Sequence, residues 1–288
     1  MAEETEYTGY SLPRPDGQAE KSRLDLQHQQ WLLTLNDQLF TSSVPDDVRR
    51  ILDVGTGAGS WATEVAGKFP YAEVVGTDVT PPATTPLENL TFVQSDAEKP
   101  WPFSKNHFDF IHGRMLVGAL HDWPAFLAHC YTHLAPGGQL ELPETCFPWD
   151  SALAGEGVTP INSPFLRWAS MAGQAWAGAG FDNYHVLRHE YRLRRLGFVD
   201  IEHYESRWPV GPWSTDEREK KIGALCLAIY GMFVKTIGMK ILTMNGFMES
   251  KEAELLTTTA LNDVEDNHMT KKYFIPVKVT RARKSNEG

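Results

Sequence analysis

The chain has 288 residues, 42% of them hydrophobic and 22% charged, the balance of a globular protein with a real core. That length fits one large domain or one domain with a lid. A formal net charge of −10 argues against a nucleic-acid partner, because neutralising phosphates takes a positive surface. Cys130, Cys146 and Cys226 are odd in number and widely spaced. They match neither a metal motif nor a disulfide framework, which points to a reducing compartment. Residues 1–18 are acidic, polar and proline-containing, without the apolar run of a signal peptide. No other run reads as long enough to cross a bilayer, so no membrane partner is expected. The expected location is the cytoplasm, with the nucleus as the alternative.

Residues 1–20 read as a loose arm. Leu24, Trp31, Leu35 and Leu39 then recur near helical spacing and Pro45 closes the segment, which predicts a helix ahead of the first strand. Strands are expected at 50–54, 73–77, 90–94, 108–112 and 139–142. Helices are expected at 60–69 and 124–134, with a turn at Ala135-Pro136-Gly137-Gly138. Strands and helices alternating at this size predict a parallel sheet covered on both faces.

Residues 145–182 break the rhythm. They are rich in small residues and aromatics and read as a substrate-side insertion with short helical pieces. A helix is expected at 184–196 and a strand at 198–205. Helices follow at 216–242 and 251–264, joined near Asn245-Gly246. Residues 273–281 alternate Phe274, Val277 and Val279 and read as a final strand. Pro276 within it suggests an edge position or an end of pairing.

The most informative stretch is Ile51-Leu52-Asp53-Val54-Gly55-Thr56-Gly57-Ala58-Gly59-Ser60. An apolar strand runs into a turn with glycine at every second position, and a helix starts after it. Such a turn lets a ligand approach the main chain, because no Cβ stands in the way. Val74-Val75-Gly76-Thr77-Asp78 ends in an acid 19 residues after Gly59. A carboxylate there, with Val79 beside it, can accept hydrogen bonds from both ribose hydroxyls. The plainer reading is a tight turn and a surface aspartate.

The glycine spacing is G-x-G-x-G, whereas the dinucleotide fingerprint G-x-G-x-x-G would put a glycine where Ser60 stands. A pyrophosphate needs close approach to a helix N-terminus. Asp53 is awkward for a phosphate and suits a cationic cofactor. S-adenosylmethionine carries a sulfonium and an ammonium and no phosphate. A third strand ends in Ser95-Asp96-Ala97. Asp96 there can take an adenine amino group, with the Ala97 N–H facing a ring nitrogen; the alternative is a plain N-cap.

With these residues the chain resembles the class I S-adenosylmethionine-dependent methyltransferases. The matching motifs are Leu52-Asp53-Val54-Gly55-Thr56-Gly57-Ala58-Gly59, Asp78, Ser95-Asp96-Ala97, Phe108-Asp109-Phe110-Ile111-His112 and Leu134-Ala135-Pro136-Gly137-Gly138. More narrowly, it is similar to the fungal LaeA-like methyltransferases of secondary metabolism. That similarity rests on Arg23-Leu24-Asp25-Leu26-Gln27-His28, Asp96-Ala97-Glu98, His112-Gly113-Arg114-Met115, Asp122-Trp123, Glu144 after Pro136-Gly137-Gly138, and Trp208-Pro209-Val210-Gly211-Pro212-Trp213.

The resemblance covers residues 20–283 and implies an α/β, Rossmann-like, seven-stranded and mostly parallel sheet with helices on both faces. The last strand is antiparallel and sits near the edge, and an N-terminal helix and a helical lid or insertion complete the fold. It implies one methyltransferase domain over 21–288. Within it, 21–45 form a cap helix, 46–144 the cofactor half, and 145–183 and 214–270 the substrate side. It places Gly55, Gly57 and Gly59 under the cofactor, Asp53 and Arg114 at its methionine end, Asp78 with Val79 at the ribose and Asp96 with Ala97 at the adenine. Arg23 and His28 become candidates for closing the site. His121 departs from the small or polar residue that relatives usually carry there.

Methyl transfer chiefly needs a nucleophile held in line with the methyl carbon and shielded from water. A hydroxyl or amine also takes a base. His121 after the fourth strand is the first candidate and Glu144 the second, against a surface histidine and a structural cap. His185 and His189, four apart on one helix, read as ordinary surface without a third ligand, so no metal is expected. Trp149, Trp168, Trp176 and Phe181 either wall a pocket for an aromatic or polyketide-like substrate or pack the core. Met232, Phe233, Met239, Met244, Phe247 and Met248 line the same pocket, a subunit contact or plain core. The expected activity is O-methylation of a small-molecule secondary metabolite, yielding S-adenosylhomocysteine. The alternatives are a regulatory protein of the same fold and an enzyme using the cofactor's charge for a cyclisation or elimination. The oligomeric state stays open, a homodimer being one arrangement.

Overall fold

A computed structural model describes residues 17–83 and 87–286. The arm read at 1–20 therefore lies almost wholly outside the described residues. The first helix, α1, is Gln18–Thr34. An alternating run follows: β1 (Arg50–Val54), α2 (Ser60–Lys68), β2 (Glu73–Asp78), β3 (Leu90–Gln94), β4 (Phe108–Gly113), α3 (Trp123–His133) and β5 (Leu134–Thr145). Next come a two-residue strand β6 (Asp150–Ser151), α4 (Pro164–Gly178), α5 (His185–Leu196), β7 (Phe198–Pro209), α6 (Glu217–Phe233), α7 (Met239–Thr243), α8 (Ser250–Lys271) and β8 (Tyr273–Lys284).

All the strands join one sheet in the order β3-β2-β1-β4-β5-β8, with β6 and β7 both pairing to β8. Strands β1 to β5 run parallel. β8 is antiparallel to both β5 and β7 and lies between them. This is the expected seven-stranded architecture with the short β6 added. β1 sits at the centre, and Ile51, Leu52, Asp53 and Val54 are all buried. Ile51, Val74 and Phe110 pack one face against Trp61 and Val65 of α2. Leu52, Ile111 and Leu140 pack the other face against Phe126 and Leu127 of α3 and Leu193 of α5. The linker from α1 to β1 is pinned by Glu141 on β5, which is fully buried. Its carboxylate accepts from the N–H and hydroxyl groups of both Thr41 and Ser42.

Three expectations are corrected. Residues 135–138 make no turn between elements. The chain passes from α3 directly into β5, and these residues form a bulge between the pairs Phe108↔Leu134 and Phe110↔Gln139. Pro276 is not at an edge, since β7 pairs with β8 through it in the register Arg207↔Pro276. Its other implication, an end of pairing, holds on the β5 side. The Pro276 carbonyl accepts from Cys146 N–H at 2.8 Å, just past the last β5 pair, Thr145↔Val277. A strand residue's N–H and C=O point to the same side, so the missing donor falls where β5 leaves the ladder.

The third correction concerns the apolar helix after residue 216. α6 widens into a π-turn, Val234–Gly238, and runs on through α7. The stretch Glu217–Gly246 includes an 18-residue window of mean hydropathy 1.7, of which 44% is buried. By length and composition it is sufficient to cross a membrane, contrary to the expectation that no run was long enough. In this fold its apolarity has a local cause: Ile222, Cys226, Tyr230, Val234, Ile237 and Ile241 are core residues. The three cysteines are unpaired.

Candidate active site

The glycine turn joins β1 to α2 as the sequence implied. Gly55, Gly57 and Gly59 have φ of +68°, +57° and +78°, a region that glycine enters without steric cost. Space is short as well: a Cβ on Gly55 would lie 2.5 Å from Leu116 Cδ2, and one on Gly59 2.5 Å from Phe92 Cζ. Asp78 at the end of β2 holds the turn from the side. Gly57 N–H donates to its Oδ2 at 3.0 Å and Thr80 N–H to its Oδ1 at 2.9 Å. The carbonyl of Val79 is held by Gln94 Nε2 at 2.9 Å. Ser95 N–H donates to the Asp78 carbonyl, which brings Asp96 and Ala97 to the same rim. The Asp96 carboxylate accepts from Glu98 N–H at 2.9 Å in a turn with no helix behind it, so Asp96 is not the helix N-cap of its alternative reading. The Ala97 carbonyl accepts from the Trp101 indole.

Asp53 is buried beneath the turn. The Thr56 hydroxyl donates to its Oδ2 at 2.7 Å, and its Oδ1 lies 2.8 Å from Nδ1 of His112 on β4. Trp61 stacks on the His112 ring with centroids 3.7 Å apart and planes 6° apart. With Nδ1 engaged by the carboxylate, His112 Nε2 is left buried without a partner, and His112 lines the cleft above the turn. Sequence reasoning missed His112 as a site residue. Its signal was register: Asp53 and His112 are directly paired in adjacent parallel strands.

Helix α1 lies over this cleft and contributes Leu24 and Gln27 to its lining. Asp25 Oδ1 accepts from Ser60 Oγ at 2.8 Å, which sets a carboxylate at the N-terminus of α2. His28 Nδ1 is 3.0 Å from Arg114 Nη2, and its Nε2 is 3.0 Å from Glu64. Burial, then the Arg114 charge, holds His28 below the usual histidine range. Burial lowers Arg114 to about 10 against the pull of Asp53 and Glu64, so it stays charged at neutral pH. Arg23 is not brought to the cleft; it makes two hydrogen bonds of 2.7 Å to Glu20. The cleft measures about 50 Å³, against ~300 Å³ or more for a ligand pocket. A larger hollow of about 510 Å³, lined by Asp46, Arg49, Lys68 and Tyr71, opens at the opposite end of β1. Sheets of this kind bind ligands at the carboxyl ends of their strands.

His121 sits in the loop before α3. Its Nδ1 is 3.5 Å from Glu98 Oε2 and its ring stacks on Phe181 at 4.1 Å. Glu98 also accepts the backbone N–H of His121 at 2.7 Å. Glu144 is fully buried at the end of β5. Its two oxygens accept from Leu116 N–H at 2.7 Å and Val117 N–H at 3.1 Å, the cap that competed with a catalytic role. Burial raises its pKa to about 8, opposed by those two hydrogen bonds. His185 and His189 are not surface residues but are both fully buried, with His185 stacked on Trp123 at 3.8 Å. Among the described residues no group of three His, Cys, Asp or Glu side chains is placed to hold a metal ion. Trp149, Trp168, Trp176 and Phe181 do come together, in one apolar cluster with Phe233, Met239 and Met244. Phe247 and Met248 part company: Phe247 is exposed and Met248 buried.

Acids thus surround a glycine turn at the carboxyl ends of the parallel strands, a helix covers it, and an aromatic cluster adjoins it. Residues 26–197 match the family model described as a methyltransferase domain. The chain is 35% identical over 225 residues to the methyltransferase pytC of Aspergillus terreus, covering 76% of this chain and 68% of that protein. It is 34% identical over 221 residues to the secondary metabolism regulator LAE1 of Cochliobolus heterostrophus, covering 73% and 69%. Among solved structures, Haemonchus contortus phosphoethanolamine N-methyltransferase 2 superposes with a TM-score of 0.50 at 16% identity, covering 95% of this chain and 62% of that one. By sequence and by fold, the chain belongs to the methyltransferase domain family.

Proposed function

We propose that the chain is an S-adenosylmethionine-dependent methyltransferase that O-methylates a small molecule of fungal secondary metabolism. The observation that carries the cofactor is the ring of carboxylates at the glycine turn. Asp25 stands at the N-terminus of α2, where a pyrophosphate would bind, and Asp53 and Asp78 flank the turn. Phosphate is repelled there and a cationic, phosphate-free nucleoside is favoured. The cofactor supplies a methyl group on a sulfonium, a leaving group that needs no protein activation. Asp78 accepts the ribose hydroxyls, Asp96 and the Ala97 N–H meet the adenine, and Asp53, His112 and Arg114 serve the charged methionine end. The unpartnered Nε2 of His112 fits an ammonium donor there. The secondary-metabolism assignment follows the relative named LAE1.

O-methylation is supported by His121. Glu98 faces its Nδ1, so Nε2 is the atom that takes the hydroxyl proton of the acceptor. The decisive experiment incubates the protein with S-adenosylmethionine and phenolic acceptors and follows S-adenosylhomocysteine. Release of that product with a methylated acceptor is expected. Product formed while the cofactor stays unconsumed, or partner proteins captured with no acceptor methylated, overturns the reading in favour of a cyclase-type or a regulatory role. In the same assay His121→Ala should lower kcat by ~100-fold and leave cofactor affinity unchanged. Unaltered turnover removes His121 from the chemistry.

A further inference from the structure

The aromatic cluster beyond β5 holds hydrogen-bond donors with nothing to donate to. Trp149 lies 6.2 Å from Trp168 and 6.0 Å from Tyr230, and Trp168 lies 5.7 Å from Tyr230, centroid to centroid. Phe233 closes on Trp168 and Trp176, each at 6.4 Å. Trp168, Trp176 and Tyr230 are buried. The indole nitrogens of Trp149, Trp168 and Trp176 and the hydroxyl of Tyr230 are all buried without a hydrogen-bond partner in the protein. Leaving such groups unpaired is costly, and folded proteins contain few. Four other tryptophans have partners: Trp61 donates to Leu39 O, Trp101 to Ala97 O, Trp208 to Thr34 Oγ1 and Trp213 to Tyr273 O. Trp31 is unpartnered as well; it meets Trp208 edge-on, with centroids 4.8 Å apart, in the same apolar cluster.

The chemistry of the missing partner can be read from the donors. An indole N–H only donates, so the partner brings acceptor oxygens. The nearest carboxylate, Asp263, is spent on Ser163, Tyr273, Lys271 and the Phe165 N–H. With its one carboxylate already paired, the cluster has no free charge to match an ion. The walls adapt: the π-turn at Val234–Gly238 brings Gly238 so close that a Cβ there would lie 3.0 Å from Trp168, and Met171, Met239 and Met244 pack around the rings. The cluster also reaches the cleft. Arg114 lines the cleft, and Met115, the next residue, packs against the aromatic side. Phe181 joins the cluster to His121 by their ring stack.

We propose that this cluster is the methyl-acceptor site and that its rings part to take an uncharged, flat aromatic or polycyclic molecule bearing carbonyl or ether oxygens, gripped by the N–H groups of Trp149, Trp168 and Trp176 and the hydroxyl of Tyr230. The binding follows from the donors alone; the word acceptor rests on the methyltransferase reading.

The test uses the full chain with ¹⁵N-labelled indoles and two probes of similar outline, xanthone with its carbonyl and ether oxygens and anthracene with none. Xanthone should shift three indole N–H resonances, each assigned by the matching Trp→Phe variant, and should bind at least tenfold more tightly than anthracene. Trp168→Phe keeps an aromatic ring but removes the N–H, and should weaken xanthone about fivefold more than it weakens anthracene. Equal binding of the two probes, absence of xanthone binding, or binding that leaves all three resonances in place overturns the proposal. S-adenosylhomocysteine is titrated into the same samples. If it binds and xanthone does not, the acceptor site falls and the methyltransferase reading stands; the reverse result separates them the other way.

Discussion

Asp78→Ala is expected to weaken S-adenosylhomocysteine binding by two orders of magnitude or more. Each hydrogen bond to an ionised carboxylate is worth ~1.5–3 kcal/mol, so losing two ribose hydroxyls removes ~3–6 kcal/mol, which is ~100-fold or beyond. The loss does not stop at the ribose. Gly57 N–H is held by the same carboxylate at 3.0 Å, so the turn loses its lateral support. Asp78→Asn keeps the shape and one acceptor oxygen and should fall between the wild type and alanine. Calorimetric titration reads all three proteins. Affinity unchanged in Asp78→Ala would take Asp78 away from the ribose and with it the strongest link between the second strand and the cofactor.

Protonation of His185 and His189 should cost this fold stability as the pH falls from 6.5 towards 4. His185 and His189 are fully buried. Burial pushes His185 down to about 4. Burial, followed by the charges of His185 and Arg192, also holds His189 well below the usual histidine range. Above about pH 6.5 both histidines are neutral folded or unfolded, and they contribute no pH dependence. Below it these two side chains take up protons in the unfolded chain that the folded chain refuses, so their contribution to stability falls as pH falls from 6.5 towards 4, while Glu144, raised to about 8, works in the opposite direction. At ~1.4 kcal/mol per unit the His185 share reaches about 3 kcal/mol at pH 4, a large part of the 5–15 kcal/mol that holds a typical domain together. Urea unfolding at pH 7.0, 5.5 and 4.5 measures the slope. His185→Gln should flatten it; a slope identical to wild type would assign the acid sensitivity to other groups.

The strands, the glycine turn and the order of the elements were legible because alternation, apolar runs and glycine spacing are local signals. The misreadings each needed something non-local. His112 belongs to the cleft through its pairing with Asp53 across two strands 59 residues apart in sequence, and spacing along the chain does not encode register. On α1 the family-like motif drew attention to Arg23. Successive helix residues point about 100° apart, and the rotation that docks α1 turns Leu24, Gln27 and His28 to the site and leaves Arg23 with Glu20. Pro136-Gly137-Gly138 has the composition of a turn, yet the pull of ladder pairing on both sides keeps it in β5 as a bulge. Glu144 and His185 were visible as residues but not as buried ones, since burial depends on what packs above them.

The cover over the cofactor cleft comes from the first described helix, but what holds it down comes from late in the chain. Gln30 reaches the carbonyl of Ile222, 192 residues away, and Arg218 reaches the carbonyl of Leu33 and the carboxylate of Asp37. Contacts of this span raise the contact order of the fold, which slows folding. The roof of the cleft cannot be anchored before α6 has docked. A nascent chain that has already made its sheet strands β1 to β5 has the glycine turn and no roof above it. A chain truncated ahead of residue 217 would keep the whole glycine motif and lose the anchor of the helix that closes over it.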